Sequence, residues 1–239
     1  MDISEGLLVF PPGGSIGLTG EVNTEKNLDV HVKMNGLPLQ PFLPADERAK
    51  LEGNVFADVK VSGTMPMNAA PEVSGVGHIE NGYVMGIPIL DFFAKLFRSP
   101  KFSKIPLNTA SANFVYAGQK VTVTNLVVES KGLMSVTGHF VINNSRIDGH
   151  FEVGVASNIT RVIPGLDQLI FTRAEGGYSW TPVNVTGPLS SPQNDLDQRI
   201  AKALPNAVLG IAEGVIKGVP KVPEQPQKAL QGLFKNLPK

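Results

Sequence analysis

Alternation of apolar and polar residues, repeated along most of the chain, is the sequence feature that most limits what it can fold into. Side chains on a β-strand point to opposite faces in turn, so a period of two predicts strands with one apolar face. The clearest apolar sets are Val30, Val32 and Met34; Val55, Ala57, Val59 and Val61; Val121 and Val123; and Ile147, Phe151, Val153 and Val155. With glycine-containing turns between them and no alternation of strands with helices, they predict an all-β dominated fold. We expect a curved, mostly antiparallel β-sheet or groove over residues 15–187.

One β-hairpin is predicted over residues 136–155. Its tip is at 143–144 or at 144–145, because asparagine tolerates the positive φ that tight hairpin turns need. With the turn at 143–144, Phe140 pairs with Ile147. Both candidate turns keep the same residues on each face of the hairpin. The predicted apolar face carries Val136, Phe140, Ile147 and Phe151, and the predicted polar face carries His139, Asp148 and His150.

One amphipathic helix interrupts the strands. Apolar residues recur at helical spacing between Pro88 and Arg98, and the segment starts at a proline and is followed by Pro100. The apolar positions are Ile89, Phe92, Phe93 and Leu96. We expect these residues to pack on the sheet, with a role for the aromatic side chains in gating a lipid path as the alternative.

The pattern changes at residue 192, which divides the chain into a β-domain (1–191) and a C-terminal helical tail (192–239). Ser191 and Pro192 suit a helix N-cap and first turn. A helical stripe follows from Leu196 to Val215, kinked at Pro205, and a Pro-rich segment comes after it. This tail is expected to pack on the sheet or cap it, to contact a membrane or an envelope protein, or to order only in a longer chain.

Composition excludes several classes of function. The chain has 21 basic and 21 acidic residues, whereas a general nucleic-acid binder has a basic excess. It has no cysteine, which rules out thiol catalysis, disulfides and zinc–thiolate sites. Charged residues make up 18% of the chain, below the roughly 25% usual in soluble domains, which favours extensive apolar surface.

The sequence offers no motif for catalysis or for a cofactor. It has no Gly-x-Ser-x-Gly, so no hydrolase nucleophile is predicted. The four histidines are scattered, although His139 and His150 could be neighbours on the hairpin's polar face. We interpret them as solvated strand residues, with a metal-binding pair as the alternative. We therefore predict no catalytic residues, no metal and no cofactor.

The order of several degenerate motifs resembles the C-terminal region of the AsmA-like family, relatives of TamB and of bridge-like lipid-transfer proteins. The resemblance covers residues 50–195. It rests on Leu51-Glu52-Gly53 before the alternating 55–61 strand, on Gly75-x-Gly77-x-Ile79-x-Asn81-Gly82 before Ile87-Pro88-Ile89-Leu90, on Phe114, on Val121 to Val128, on Leu133-x-x-Val136-x-Gly138, on Ile147-x-Gly149, and on Val183 to Pro192.

This resemblance implies a long β-groove with an apolar floor, anchored in the inner membrane of Gram-negative bacteria and crossing the periplasm. The implied function is phospholipid transport or outer-membrane biogenesis. Residues 1–5 have no signal-peptide character and no 18-residue apolar run occurs. We therefore expect a fragment of a longer, membrane-associated protein.

Three functions remain open. The first is a non-enzymatic β-groove that binds phospholipid acyl chains through Val55, Val59, Val121, Val123, Phe140 and Phe151. The second is a structural scaffold for outer-membrane assembly without lipid cargo. The third is an unrelated all-β binding module, which would be expected to show more exposed tyrosine and tryptophan if it bound glycans.

Overall fold

The fold is a single open, curved and mostly antiparallel β-sheet, as the alternation predicts. The computed structural model describes residues 2–203 except 11–12, 24, 26, 44, 46–47 and 65–69. Its strands are β1 (Asp2–Val9), β2 (Ser15–Val22), β3 (Asn27–Pro38), β4 (Leu51–Thr64), β5 (Glu72–Met85), β6 (Lys104–Leu107), β7 (Thr109–Ala117), β8 (Lys120–Ser130), β9 (Met134–Asn143), β10 (Arg146–Ala156), β11 (Arg173–Glu175), β12 (Tyr178–Pro188) and β13 (Gln193–Asn194).

Nearly every strand pairs with the next one along the chain. The order is β1-β2-β3-β4-β5-β7-β8-β9-β10-β12-β11, with β6 beside β5 and β13 beside β12. Each of these pairings is antiparallel. The sheet therefore extends beyond the predicted 15–187 at both ends, because β1 and β13 also join it.

Three β-bulges lie in the interior of the sheet. The register shifts around Gly36 in β3, Asn81 in β5 and Asn125 in β8. These residues have φ of 61°, 52° and 51°, the left-handed conformation that glycine and asparagine adopt most readily. A bulge bends its strand and increases the local twist, so the three contribute to the curvature of the sheet.

The predicted hairpin forms between β9 and β10. Asn143 pairs with Arg146, which places the turn at Asn144 and Ser145, both with positive φ. The second of the two predicted turns is therefore correct, and the direct pairing of Phe140 with Ile147 is wrong. Phe140 pairs with Gly149 instead. The faces are as predicted, because moving the turn by one residue moves the register by two.

Helices gather over one part of the sheet. They are α1 (Pro88–Leu96), α2 (Ser157–Thr160), α3 (Leu166–Leu169) and α4 (Leu196–Ala203). Their apolar residues form one core with the beginning of β9, the end of β10 and part of β12. The most buried members of this helical core are Phe93, Phe102, Val155, Leu166, Phe171, Leu196 and Ile200.

The two predicted helices differ from the structure at their boundaries. Helix α1 ends at Leu96 rather than Arg98, because Arg98 turns the chain with a φ of 49°. Helix α4 does not start at Ser191 and Pro192, because Gln193 and Asn194 first pair with β12.

The start of α4 at Leu196 is instead stabilised by Asn194. Its Oδ1 accepts a hydrogen bond from the backbone N–H of Asp197, at 3.1 Å.

The division of the chain at residue 192 stays a prediction, because 204–239 lie outside the described residues. The part of the tail that is described packs with the sheet, since Leu196 and Ile200 belong to the helical core. Pro205, the Pro-rich segment and the rest of the predicted stripe also fall outside the described part. No described helix is long and apolar enough to cross a membrane.

The aromatic centre of the helical core gives a stability prediction. Phe93 is 0% exposed, and its ring lies 5.7 Å from each of the rings of Phe97 and Phe102, between centroids. We expect Phe93→Ala to lower the free energy of unfolding by about 3–5 kcal/mol, because it leaves a cavity. Val162→Ala, at a side chain that is 69% exposed, should change it by less than about 0.5 kcal/mol. Urea denaturation followed by circular dichroism measures both, and equal midpoints would contradict this core.

Candidate functional site

Two rows of apolar residues cross the sheet on one face. Each row passes through nine strands, from β2 to β12, by direct pairing of residues on neighbouring strands. The Val59 row consists of Leu18, Val32, Val59, Gly75, Phe114, Val123, Phe140, Gly149 and Val185. The Val61 row consists of Gly20, Val30, Val61, Val73, Tyr116, Val121, Ile142, Ile147 and Gly187.

Neither row contains a charged residue, although charged residues flank many of its positions along the strands. Neighbouring strands lie ~4.8 Å apart, so eight steps give each row a length of about 38 Å along the sheet. The two rows together form a continuous apolar track at right angles to the strands.

The described helices cover one end of this track and not its centre. Val185 and the nearby Phe151 pack against the helical core. A second cluster lies around Val59, Val61 and Val73, each 6% exposed, and all its described members are strand residues of β3, β4, β5 and β7. Val121, Val123 and Phe140, between the two clusters, are half-buried.

The opposite face carries charged and hydrogen-bonding side chains beside the exposed Val76 and Val115. Lys60 Nζ lies 2.7 Å from Asp29 Oδ2, and His31 pairs with Lys60 across β3 and β4. The ring of His78 stacks on that of Phe56, 4.9 Å between centroids. The sheet therefore separates an apolar face from a face rich in hydrogen-bonding and charged groups.

The structure brings most of the predicted lipid-contacting residues together. Val59, Val123 and Phe140 lie in one row, and Val121 lies in the next. Phe151 is on the same face, with its ring 6.2 Å from that of Phe140 between centroids, but it packs against the helical core. Val55 pairs with Leu37 and Ile79, farther along β4 from both rows.

The predicted helix residues lie in the interior. Phe92, Phe93 and Leu96 are all buried in the helical core. Their positions therefore match packing on the sheet rather than lining of the open part of the track.

Sequence reasoning missed several members of the track. Leu18 and Gly20 belong to a short strand whose alternation was not used, and Phe114 and Tyr116 alternate with Asn113 and Val115. The period-two pattern was present in β2 and could have identified Leu18. In β7 the residue between Phe114 and Tyr116 is the apolar Val115, so local alternation does not assign the faces there.

Gly75 allows the track to form between β4 and β5. A Cβ atom placed on it would lie 2.4 Å from the backbone oxygen of Asp58 and 3.1 Å from the ring of Phe114. A glycine at this position lets the backbone of β4 approach closely and leaves room for the aromatic ring.

Burial raises the pKa of Asp197, and a hydrogen bond from Asn194 opposes this effect. Asp197 lies at the start of α4, and its hydrogen-bond partner Asn194 pairs with Val185 at the helix-covered end of the track. Within the described residues, no group of three or more His, Asp or Glu side chains is placed to hold a metal ion.

Comparisons with protein-family models, with characterised proteins and with solved structures found no match.

The close approach at Gly75 can be tested by adding one methyl group. Gly75→Ala should destabilise the protein by about 1–3 kcal/mol, because the added atom collides with the backbone of β4. Gly17→Ala is the matched control, since a Cβ on this strand glycine meets its nearest atom at 4.0 Å. Thermal or urea unfolding compares the two. An equally large loss of stability in Gly17→Ala would show that alanine destabilises the sheet at strand glycines in general, which would contradict a specific close approach at Gly75.

Proposed function

We propose that the apolar track binds the acyl chains of phospholipids and that the protein is a non-enzymatic lipid-handling segment of an AsmA-like envelope protein. The observation that carries this proposal is the pair of rows without a charged residue across nine strands. An acyl chain is long, flexible and apolar. A track of this shape offers it contact along its whole length.

The energetics suit a ligand without directional groups. Each CH₂ group removed from water contributes roughly 0.8 kcal/mol, wherever along the track it lies. Binding is then distributed over area, and no single side chain is essential. The half-buried side chains of Val121, Val123 and Phe140 retain surface that such a ligand could cover.

The proposed location is the periplasm, with the protein anchored in the inner membrane as part of a longer chain. This rests on the family resemblance of residues 50–195. Residues 192–239 remain a candidate for contact with a membrane or an envelope protein. Neither the cargo nor the direction of transfer follows from the track, because aliphatic contact does not distinguish one phospholipid from another.

A charge placed in the open centre of the track tests the proposal. Val123→Glu should weaken binding of a fluorescent fatty-acyl probe by at least about tenfold, which is 1.4 kcal/mol, while leaving the fold intact. Thr122→Glu is the matched control, because residue 122 lies on the same strand with its side chain on the opposite face. Probe titration measures affinity, and circular dichroism verifies that both variants fold.

The scaffold alternative predicts a different result. Native mass spectrometry of gently extracted protein should detect bound phospholipid if the track holds lipid. Photo-crosslinkers at positions 59, 114, 123 and 140 should capture it, and one at position 122 should not. Lipid-free protein with unchanged probe binding in Val123→Glu would remove the lipid proposal and favour a structural role.

A further inference from the structure

The first strand of the sheet has a free edge. Within the described residues, β1 pairs with β2 and with no other strand. The backbone N–H of Phe10 donates to the carbonyl oxygen of Gly14, at 3.0 Å. Since backbone groups of an antiparallel strand point to its two sides in turn, Leu8 also points toward β2, whereas the N–H and C=O groups of Leu7 and Val9 point to the free edge. Such a row of unpaired backbone groups is a template for another strand.

Two large apolar side chains lie on this edge. Leu7 is 68% exposed and Val9 is 70% exposed. Their partners on β2 are Gly17 and Ser15, which are too small to cover them. Residues 6–9 contain neither a charge nor a proline, the features that commonly protect an edge strand from pairing. The edge therefore combines free hydrogen-bonding groups with exposed apolar surface.

The other edge of the sheet is protected. β11 and β13 have three and two residues and cover two parts of β12. Between them, the N–H of Asn184 donates to Asp195 Oδ1 at 2.9 Å, and its carbonyl oxygen accepts from the N–H of Asp195 at 3.2 Å. Pro182 has no N–H, and its carbonyl oxygen accepts from Arg199. Pairing of β1 with β12 of another copy is therefore blocked, whereas pairing of β1 with β1 is not.

One register of this pairing suits both exposed side chains. An antiparallel pair centred on Leu8 places Leu7 opposite Val9 of the second copy, and Val9 opposite Leu7. Both residues direct their backbone groups outward, so each such pair exchanges both of its N–H···O bonds. A pair centred on Leu7 would place Val9 opposite Glu5, and one centred on Val9 would place Leu7 opposite Pro11, which has no N–H.

We propose that two copies of the chain associate through β1 as an antiparallel, two-fold symmetric dimer. Because the same strand is used by both copies and the other edge is blocked, the assembly closes at two chains. The net charge of zero adds no overall repulsion between copies. A single strand pair is a small interface, so we expect a Kd in the range of about 1 µM to 1 mM.

The dimer would continue the apolar face from one chain to the next. Leu8 pairs with Ile16, which lies two residues before Leu18 of the Val59 row, and the pairing continues through Met34 and Ala57. The two-fold axis is perpendicular to the sheet, so Leu8 lies on the same face in both copies. The dimer does not rest on the proposed lipid binding, and it is measured without lipid.

Sedimentation equilibrium of the full chain, from about 1 µM to 1 mM, tests the interface. The average mass should rise with concentration toward twice that of one chain and no further. Leu7→Lys should lower the association constant by at least about tenfold, because a charge on the edge opposes strand pairing. Val162→Lys is the matched control, since this side chain is 69% exposed and lies outside the sheet. It should leave the association unchanged.

Cross-linking tests the register. The chain has no cysteine, and two residues at the centre of the pair have Cα atoms about 4.5 Å apart, within the range of a disulfide. Mild oxidation should therefore cross-link Leu8→Cys into dimers and leave Val162→Cys monomeric. A chain that stays monomeric at every concentration would overturn the dimer and favour a strand of a different protein at this edge. Equal association of Leu7→Lys and the unmodified chain would also overturn it.

Discussion

The hydrogen-bonded ladder that runs without a break from β2 to β12 is the constraint on which the rest of the structure depends. Since each pairing is antiparallel and side chains alternate, one register decides the face of every residue in the sheet. A slip by one residue in β3, β4 or β10 would bring charged side chains into the apolar rows. In these strands the alternation of apolar and charged residues therefore disfavours a one-residue shift of register as well as burying the valines.

The bulges keep the apolar side chains on one face of the sheet while the strands bend. Strict alternation would place Met34 and Leu37 on opposite faces, but the bulge at Gly36 returns both to the apolar face. Asn125 does the same for Val123 and Leu126 in β8. The same bulges therefore bend the strands and return the apolar side chains to one face. Val61 is 6% exposed in a cluster whose described members are all strand residues.

The faces could be predicted from sequence because they depend on local alternation. The turn at Asn144 and Ser145 could not be distinguished from its neighbour, since asparagine suits both positions and both turns preserve the faces. Helices α2 and α3 were missed because each has four residues, too few to show a helical period. The start of α4 was misplaced because pairing of Gln193 with β12 is a long-range contact that no local cap signal reveals. The rows themselves needed the register of nine strands, which lies beyond any local pattern.

A single-layer sheet also links its two faces. His150 is placed between Gly149 and Phe151 on β10, so one strand contributes to the polar histidine pair and to the apolar face. A ligand on either face binds only the native register and stabilises it by mass action. Ligands on opposite faces share no side chain, so they would not compete directly. Any coupling between the two faces must pass through the register and twist of β9 and β10, where an acyl chain would cover Phe140. Ligand binding on one face can therefore affect the other face through the β9–β10 hairpin.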